Sequence, residues 1–315
     1  MPKAEFTSID TLVPFYETSQ LFRSVGFRWK RGPLIRRLND FVLERVGSDF
    51  YDLIWVDKAV FLTEPTTAYL RARARKLVHF TPDPAFTFHH SKHFEWSLRH
   101  YDMLVTTKSY EVDDYASRVD RQRLILVTQG YDSSQHYSRR DFGERIPGVC
   151  FIGHHESSRQ EIIEAMLQMN VPTFIAGRGW GRFAKKHSRN RNLIYGGPGV
   201  YGYEYAERLS EYKFGLGLLS EWIPEKHTTR TFEIPACGSV LITERNSETE
   251  EYFDEDEVLF FSSEADLLYG LRYLLEKPEE AEKISLRGVN RVRANGFDYK
   301  SIMLGILASV NGKSS

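Results

Sequence analysis

The sequence predicts an α/β protein of two Rossmann-like, doubly wound domains, and three observations carry that expectation. Short apolar runs alternate with amphipathic stretches at the spacing of strand–helix units. The alternation stops once, at a polar segment, and then begins again. At 315 residues the chain also exceeds the usual size of a single core, so two domains are expected from length alone.

The first pass runs over 1–145. Phe6–Asp10 reads as a short strand, and Leu34, Leu38, Phe41, Val42 and Val46 make one apolar face of a helix. Strands are expected at 52–56, 76–80, 103–107 and 123–127, with helices at 66–75, 92–99 and 112–118 between them. Tyr137 to Gly148 is polar and broken by Pro147-Gly148, the clearest linker in the chain. The second pass, 146–315, places strands at 149–152, 172–176, 192–195, 214–219, 239–243 and 258–261. Helices are expected at 160–169, 202–211, 231–237, 264–276 and 278–294. Gly238 is suited to a left-handed cap on the third of these.

Composition narrows the class. Hydrophobic residues at 41% and charged residues at 27% are ordinary for a globular protein, and the net charge of −1 argues against general nucleic-acid binding. Two cysteines, Cys150 and Cys237, cannot build a disulfide framework or a cysteine-rich zinc site. No apolar run reaches the roughly 18 residues of a transmembrane helix, and Met1–Glu5 does not open a signal peptide, so a cytoplasmic location is expected. The 14% aromatic content leaves rings for stacking on sugars as well as for cores.

In parallel sheets ligands bind beyond the carboxyl ends of strands. Asp57, Lys58, Asp83, His89 and His90 fall there in the first half. Asp83 and His89 are the candidate catalytic groups on that side, with His89 or His90 in a polar wall facing an acceptor; a solvated loop is the plainer reading of the three histidines in 89–93. In the second half, Gly177-Arg-Gly-Trp-Gly181 follows a strand but lacks the third glycine and the later acid of a dinucleotide fingerprint. It reads as a loop whose backbone approaches a ligand, beside Arg178, Arg182, Lys185 and Lys186, cations suited to a diphosphate. No phosphate-binding Gly-x-x-x-x-Gly-Lys-Ser/Thr motif is present. Asp254-Glu-Asp256 sits in an acidic run and reads as solvated charge rather than a metal site. No metal and no cofactor are expected.

The densest stretch is Glu225 to Thr243: a loop of charged and hydroxyl residues (Glu225, Lys226, His227, Thr228, Thr229, Arg230), a short helix, a glycine stop and a buried strand. Its element Arg230-Thr-Phe-Glu-Ile-Pro-Ala-Cys-Gly238 resembles the CgeB-like, spore-maturation branch of two-domain glycosyltransferases of the GT-B fold. The resemblance extends to 52–58, 101–108 and 128–132 in the first domain. In the second it takes in Phe151-Ile-Gly153 with Arg159, and then Gly177 to Trp180. It implies two Rossmann-like domains facing a cleft, with the first domain shortened at its N-terminus, because only Phe6–Asp10 precedes the first helical region.

The resemblance also implies roles. Glu225 and Glu233 have the Glu-x7-Glu spacing of family-4-type retaining transferases. By that likeness Glu233 holds the ribose hydroxyls of a nucleotide-sugar, and Glu225 faces the donor sugar. A carboxylate suits a pair of hydroxyls because it accepts two hydrogen bonds at once. Arg159 resembles the family's phosphate-facing cation. Lys226, Thr228, Thr229 and Arg230 line the diphosphate side, with Gly153, Gly177 and Arg178 close by. The function implied is metal-independent, retaining transfer of a sugar from a nucleotide diphosphate-sugar to an unidentified acceptor. The alternatives are a catalytically weak nucleotide-sugar-binding or partner subunit, and an isomerase acting on the nucleotide-sugar itself through His154, His155 or His227.

Overall fold

The computed structural model describes residues 5–87 and 90–312 and divides the chain into two compact units, 1–127 with 308–315, and 128–307. The division falls earlier than the polar segment at 137–148, because that segment is tied into the second unit. The Arg145 guanidinium, 3% exposed, donates to Ser138 Oγ, Ser239 Oγ and the carbonyls of Arg140 and Cys237. Burial pushes its pKa down to about 10, so it stays charged at neutral pH. Tyr131 joins the same unit through a bridge to Asp298.

In the first unit three helices precede any strand among the described residues: α1 (Leu12–Glu17), α2 (Gln20–Trp29) and α3 (Pro33–Val46). The expected strand at Phe6–Asp10 does not form. Those residues carry no regular structure and Phe6 is 91% exposed, since no neighbouring strand supplies a ladder for them. The order continues β1 (Tyr51–Asp57), α4 (Glu64–Ala72), β2 (Ala74–Thr81), α5 (Lys92–Ser97), β3 (Met103–Thr106), α6 (Val112–Ala116) and β4 (Leu124–Leu126). Helix α4 stops three residues before the sequence reading places its end, because Ala74 already pairs with Tyr51. The four strands are parallel in the order β1-β2-β3-β4, so this sheet advances in one direction without a reversal. Leu38, Val42 and Val46 of α3 pack with Leu70, Leu77, Phe94 and Leu104 in its core, as the apolar face of α3 requires.

The second unit contains β5 (Ile146–Ile152), α7 (Ser157–Gln168), β6 (Thr173–Ala176), α8 (Gly181–Lys186), β7 (Leu193–Tyr195) and α9 (Gly202–Glu211). It continues with β8 (Tyr212–Leu216), α10 (Arg230–Ala236), β9 (Val240–Glu244), α11 (Thr249–Tyr252), β10 (Leu259–Phe261), α12 (Glu264–Glu276), α13 (Pro278–Ala294) and α14 (Tyr299–Gly312), the last of which runs past 307. Its six parallel strands lie in the order β10-β9-β8-β5-β6-β7. Counted within the unit this is the 3-2-1-4-5-6 order of the dinucleotide-binding fold, with the reversal between β5 and β8. Both faces of the sheet are covered. Val149 and Phe151 of β5 enter one core with α7 and α12, and Cys150 and Ile152 enter another with α9 and α10. That two-sided burial is why β5 reads as an unbroken apolar run rather than an alternating one. The acidic run at 254–257 is held by arginines: Asp254 and Glu257 by Arg291, Asp256 by Arg287, and Glu255 by Arg245.

Candidate functional site

The strand order reverses between β5 and β8, where ligands bind in sheets of this kind, and the loops after β5, β6 and β8 with helix α10 carry the second unit's candidate residues. Gly153 follows β5 directly; its carbonyl accepts from Trp180 Nε1 at 2.9 Å. Gly177, after β6, has φ of +140°, and a Cβ there would lie 2.0 Å from the Gly153 carbonyl oxygen. The two loops therefore meet backbone to backbone, and only glycine at 177 allows it. The close approach expected of this Gly-rich loop is made to its neighbour. The Arg178 carbonyl accepts from the His155 amide at 2.9 Å while the Arg178 side chain is exposed.

Strand β8 ends at Leu216, sooner than its apolar run suggests, and Gly217–Leu219 become a loop: the Gly217 amide donates to the Ile242 carbonyl, the Leu219 amide to Glu244, and the carbonyls of Leu218 and Leu219 accept from arginines. Arg159, 4% exposed, donates to the carbonyls of His154, Leu218 and Leu219 and pairs with Glu156 at 2.8 Å. Glu156 accepts in turn from Ser220 Oγ and the Glu221 amide. Burial lowers the Arg159 pKa and the Arg230 charge adds to this, whereas the carboxylates of Glu156, Glu244 and Glu225 oppose it. Glu225 is thus half-buried in the loop before α10, within the field of Arg159. Arg230 opens α10 and reaches the carbonyls of Leu218 and Ile152 at 3.3 and 3.5 Å; its buried Nε has no hydrogen-bond partner among the described residues.

Glu233, one turn into α10, is the most closely defined group. Its Oε2 accepts from Tyr205 Oη at 2.6 Å and Thr229 Oγ1 at 3.1 Å. Its Oε1 faces His136 Nε2 at 3.9 Å, and the side chain is 13% exposed. His136 Nδ1 accepts from the Asp132 amide at 3.1 Å, which puts the proton of the neutral ring on Nε2, pointing at the carboxylate. Burial lowers the His136 pKa, opposed by Glu233 and Asp132, so the ring is neutral at pH 7. Burial, reinforced by the Glu233 charge, raises that of Tyr205, which keeps its proton for the hydrogen bond.

Nearby, Thr228 Oγ1 is buried without a partner among the described residues, and the exposed Lys226 donates to Ser247. Tyr205, His136, Glu156 and Glu244 were not singled out from the sequence. Glu244 ends β9 and accepts from the Leu219 amide at 3.0 Å, and its buried Oε2 has no hydrogen-bond partner among the described residues; burial raises its pKa. Tyr205 lies on the exposed-looking helix α9, 28 residues before Glu233, and nothing local announces their meeting. His227 is spoken for on both sides: Nε2 accepts from the Gln129 amide and Nδ1 donates to Glu248. His155 bonds Gln160.

The first unit holds the remaining candidates. Asp83 pairs with Lys58 at 2.6 Å beyond the ends of β1 and β2, where Lys58 has φ of +60° and Ala59 of +21°, uncommon for residues with side chains. His89 lies outside the described residues. His90 pairs with Glu95 at 3.3 Å. Among the described residues no group of three His, Cys, Asp or Glu side chains converges as a metal site would require, and no helix is long and apolar enough to cross a membrane.

Comparison with known proteins agrees with this architecture. A family profile described as "Glycosyl transferase-like" matches residues 158–308. A search of curated proteins returns no match. Among solved structures, the chain is similar to sucrose-phosphate synthase from Thermosynechococcus elongatus, with 14% identity and TM-score 0.62 over 93% of this chain and 80% of that one. It is similar to Anabaena Alr3699/HepE in complex with UDP and glucose, with 14% identity and TM-score 0.60 over 93% and 84%. For alpha,alpha-trehalose 6-phosphate synthase from Burkholderia multivorans the values are 14% and 0.61, over 96% and 81%. The fold is the two-domain GT-B fold of glycosyltransferases.

Proposed function

We propose that this protein transfers a sugar from a nucleoside-diphosphate donor bound in the second unit to an acceptor. The observation that carries this reading is the Glu233 carboxylate at the reversal of a dinucleotide-type sheet. Tyr205 and Thr229 fix one oxygen, and the other faces the N–H of a neutral histidine at 3.9 Å. A carboxylate so held accepts the two hydroxyls of a ribose without having to reorganise. The UDP and glucose in HepE, a protein of the same fold, make uridine the first base to test.

The chemistry follows from the charges. The bond from the anomeric carbon to the diphosphate breaks, the acceptor oxygen takes its place and loses its proton, and negative charge gathers on the departing diphosphate. Arg230, with its unpartnered Nε, and the Thr228 hydroxyl stabilise that charge from the start of α10. Lys226 and Arg178 add mobile cations from the surface. The buried Arg159 contributes positive charge from behind the loop it anchors. On this reading the reaction needs no metal. Glu225, beside Arg159, faces the donor sugar, and retention of configuration rests on it. Asp83 and His89 in the first unit serve the acceptor.

The test is a thermal-shift screen against uridine, guanosine, adenosine and thymidine diphosphate-sugars, followed by an assay for release of the nucleoside diphosphate. A donor at 100 times its dissociation constant adds about 2.7 kcal/mol of stability. Stabilisation with turnover supports the enzyme. Stabilisation without turnover identifies a binding subunit. No shift with any donor defeats the reading.

A further inference from the structure

We infer that helix α2 and its flanks form a docking surface for an anionic lipid membrane, on which the protein lies without crossing it. The inference stands on the first unit alone and is independent of the nucleotide-sugar reading.

Helix α2 is unusual for how little of it is covered. Gly26 is its one buried residue, and a Cβ there would lie 2.7 Å from Leu34 of α3. The helix therefore rests on α3 through a glycine and on Phe61 through Phe27, and most of its large side chains stay exposed. Leu21, Phe22, Phe27 and Trp29 are 69, 45, 55 and 61% exposed, and Tyr16 of α1 is 66% exposed. Trp96 of α5, 57% exposed, lines the same hollow of about 590 Å³ as Trp29. Exposed apolar side chains scattered singly are ordinary, whereas this density on one short segment marks an interaction surface.

The charge on the segment selects the partner. Residues 18–39 contain six arginines and lysines and no aspartate or glutamate, in a chain whose net charge is −1. Of the six only Arg37 pairs with a carboxylate among the described residues, that of Glu17. Arg28 lies over the Trp29 ring at 5.9 Å, and the Lys30 ammonium lies over Phe27 at 4.5 Å. Cations stacked on exposed rings place positive charge and apolar area in one layer. That pairing suits a headgroup region, where tryptophan and phenylalanine enter the acyl boundary and arginine and lysine meet anionic lipid. A neutral protein partner would leave five cations unneutralised.

The experiment is flotation of the full chain with vesicles of phosphatidylcholine alone, or with about 30% phosphatidylserine added to supply the anionic surface. Flotation only with the anionic vesicles is expected, weakened by salt, with a blue shift of tryptophan emission in the unmodified protein. Phe22→Ser/Trp29→Ser and Arg28→Glu/Lys30→Glu/Arg31→Glu each lower binding tenfold or more, since one cation near such a surface is worth about fivefold in affinity. Phe22, Arg28, Trp29 and Arg31 are exposed, whereas the Lys30 ammonium is half-buried over Phe27 and Phe61, so an unchanged melting temperature is expected of Phe22→Ser/Trp29→Ser and of Arg28→Glu/Arg31→Glu, the charge variant that controls for folding. Absence of flotation and of any emission shift with anionic vesicles overturns the inference, as does binding that neither variant weakens. A dimer that Phe22→Ser/Trp29→Ser dissociates, in a protein that ignores vesicles, overturns it in favour of a self-interface.

Discussion

Glu233 is held the way a binding carboxylate must be, and the residues that hold it make it testable. Tyr205 Oη supplies the shorter of its two hydrogen bonds, at 2.6 Å. A hydrogen bond to a charged group contributes about 1.5–3 kcal/mol, so Tyr205→Phe leaves the carboxylate on Thr229 alone and free to turn. The expected result is a uridine diphosphate affinity lowered roughly tenfold with the fold intact, read by calorimetry and by circular dichroism. His136 faces the same carboxylate through Nε2 at 3.9 Å. Glu233 was picked out from the sequence because its motif is continuous. Tyr205 and His136 were not, since each reaches it only when α9 and the 128–137 segment have packed against α10.

Among elements, the loops after β5 and β6 behave as one body. The Cβ of Gly177→Ala would fall 2.0 Å from the Gly153 carbonyl, at a φ of +140° that side chains avoid. The substitution should cost about 2–4 kcal/mol and lower the melting temperature by several degrees. Gly181→Ala, which meets nothing within 4 Å, serves as the control with little effect. A melting temperature unchanged by Gly177→Ala would mean that the two loops are not in contact.

Elements with a strict period were legible from the chain. Helices α9, α12 and α13 run over the residues their apolar spacing indicated. Helices α1 and α2 were not, although Leu21, Phe22, Val25 and Trp29 of α2 keep helical spacing, because among the described residues no strand precedes them to frame a strand–helix unit. The strand expected at Phe6–Asp10 failed for a related reason: an apolar pair predicts a strand only if a neighbour exists to pair with it. The early end of β8 was hidden too. Its apolar run continues through Leu219, while the backbone turns to meet Arg159, Arg230 and Glu244.

At the scale of the whole molecule, one buried group ties stability to pH. His79 lies on β2 in the first unit, 1% exposed, against Phe94 and Tyr101, and neither ring nitrogen has a hydrogen-bond partner among the described residues. Burial drives its pKa from 6.5 down to about 3. The unfolded chain therefore takes up a proton first, and the stability present above pH 6.5 is lost as pH falls from 6.5 towards 3. The loss amounts to about 1.4 kcal/mol per pH unit, or roughly 2 kcal/mol by pH 5. Melting curves between pH 7.5 and 5 should fall more steeply for the native protein than for His79→Leu. Parallel curves would show that the ring reaches solvent. The ring is buried within the first unit, so saturating nucleotide should leave the acid step in place.

The central claim is that the second unit binds a nucleoside diphosphate through Glu233, and a calorimetric titration of uridine diphosphate tests it most directly. Saturable binding to the native protein is expected. Glu233→Ala should lower the affinity by ten- to a hundredfold, about 1.4–2.7 kcal/mol, while the melting temperature of the free protein stays near its native value. Equal affinity in the two proteins would contradict it.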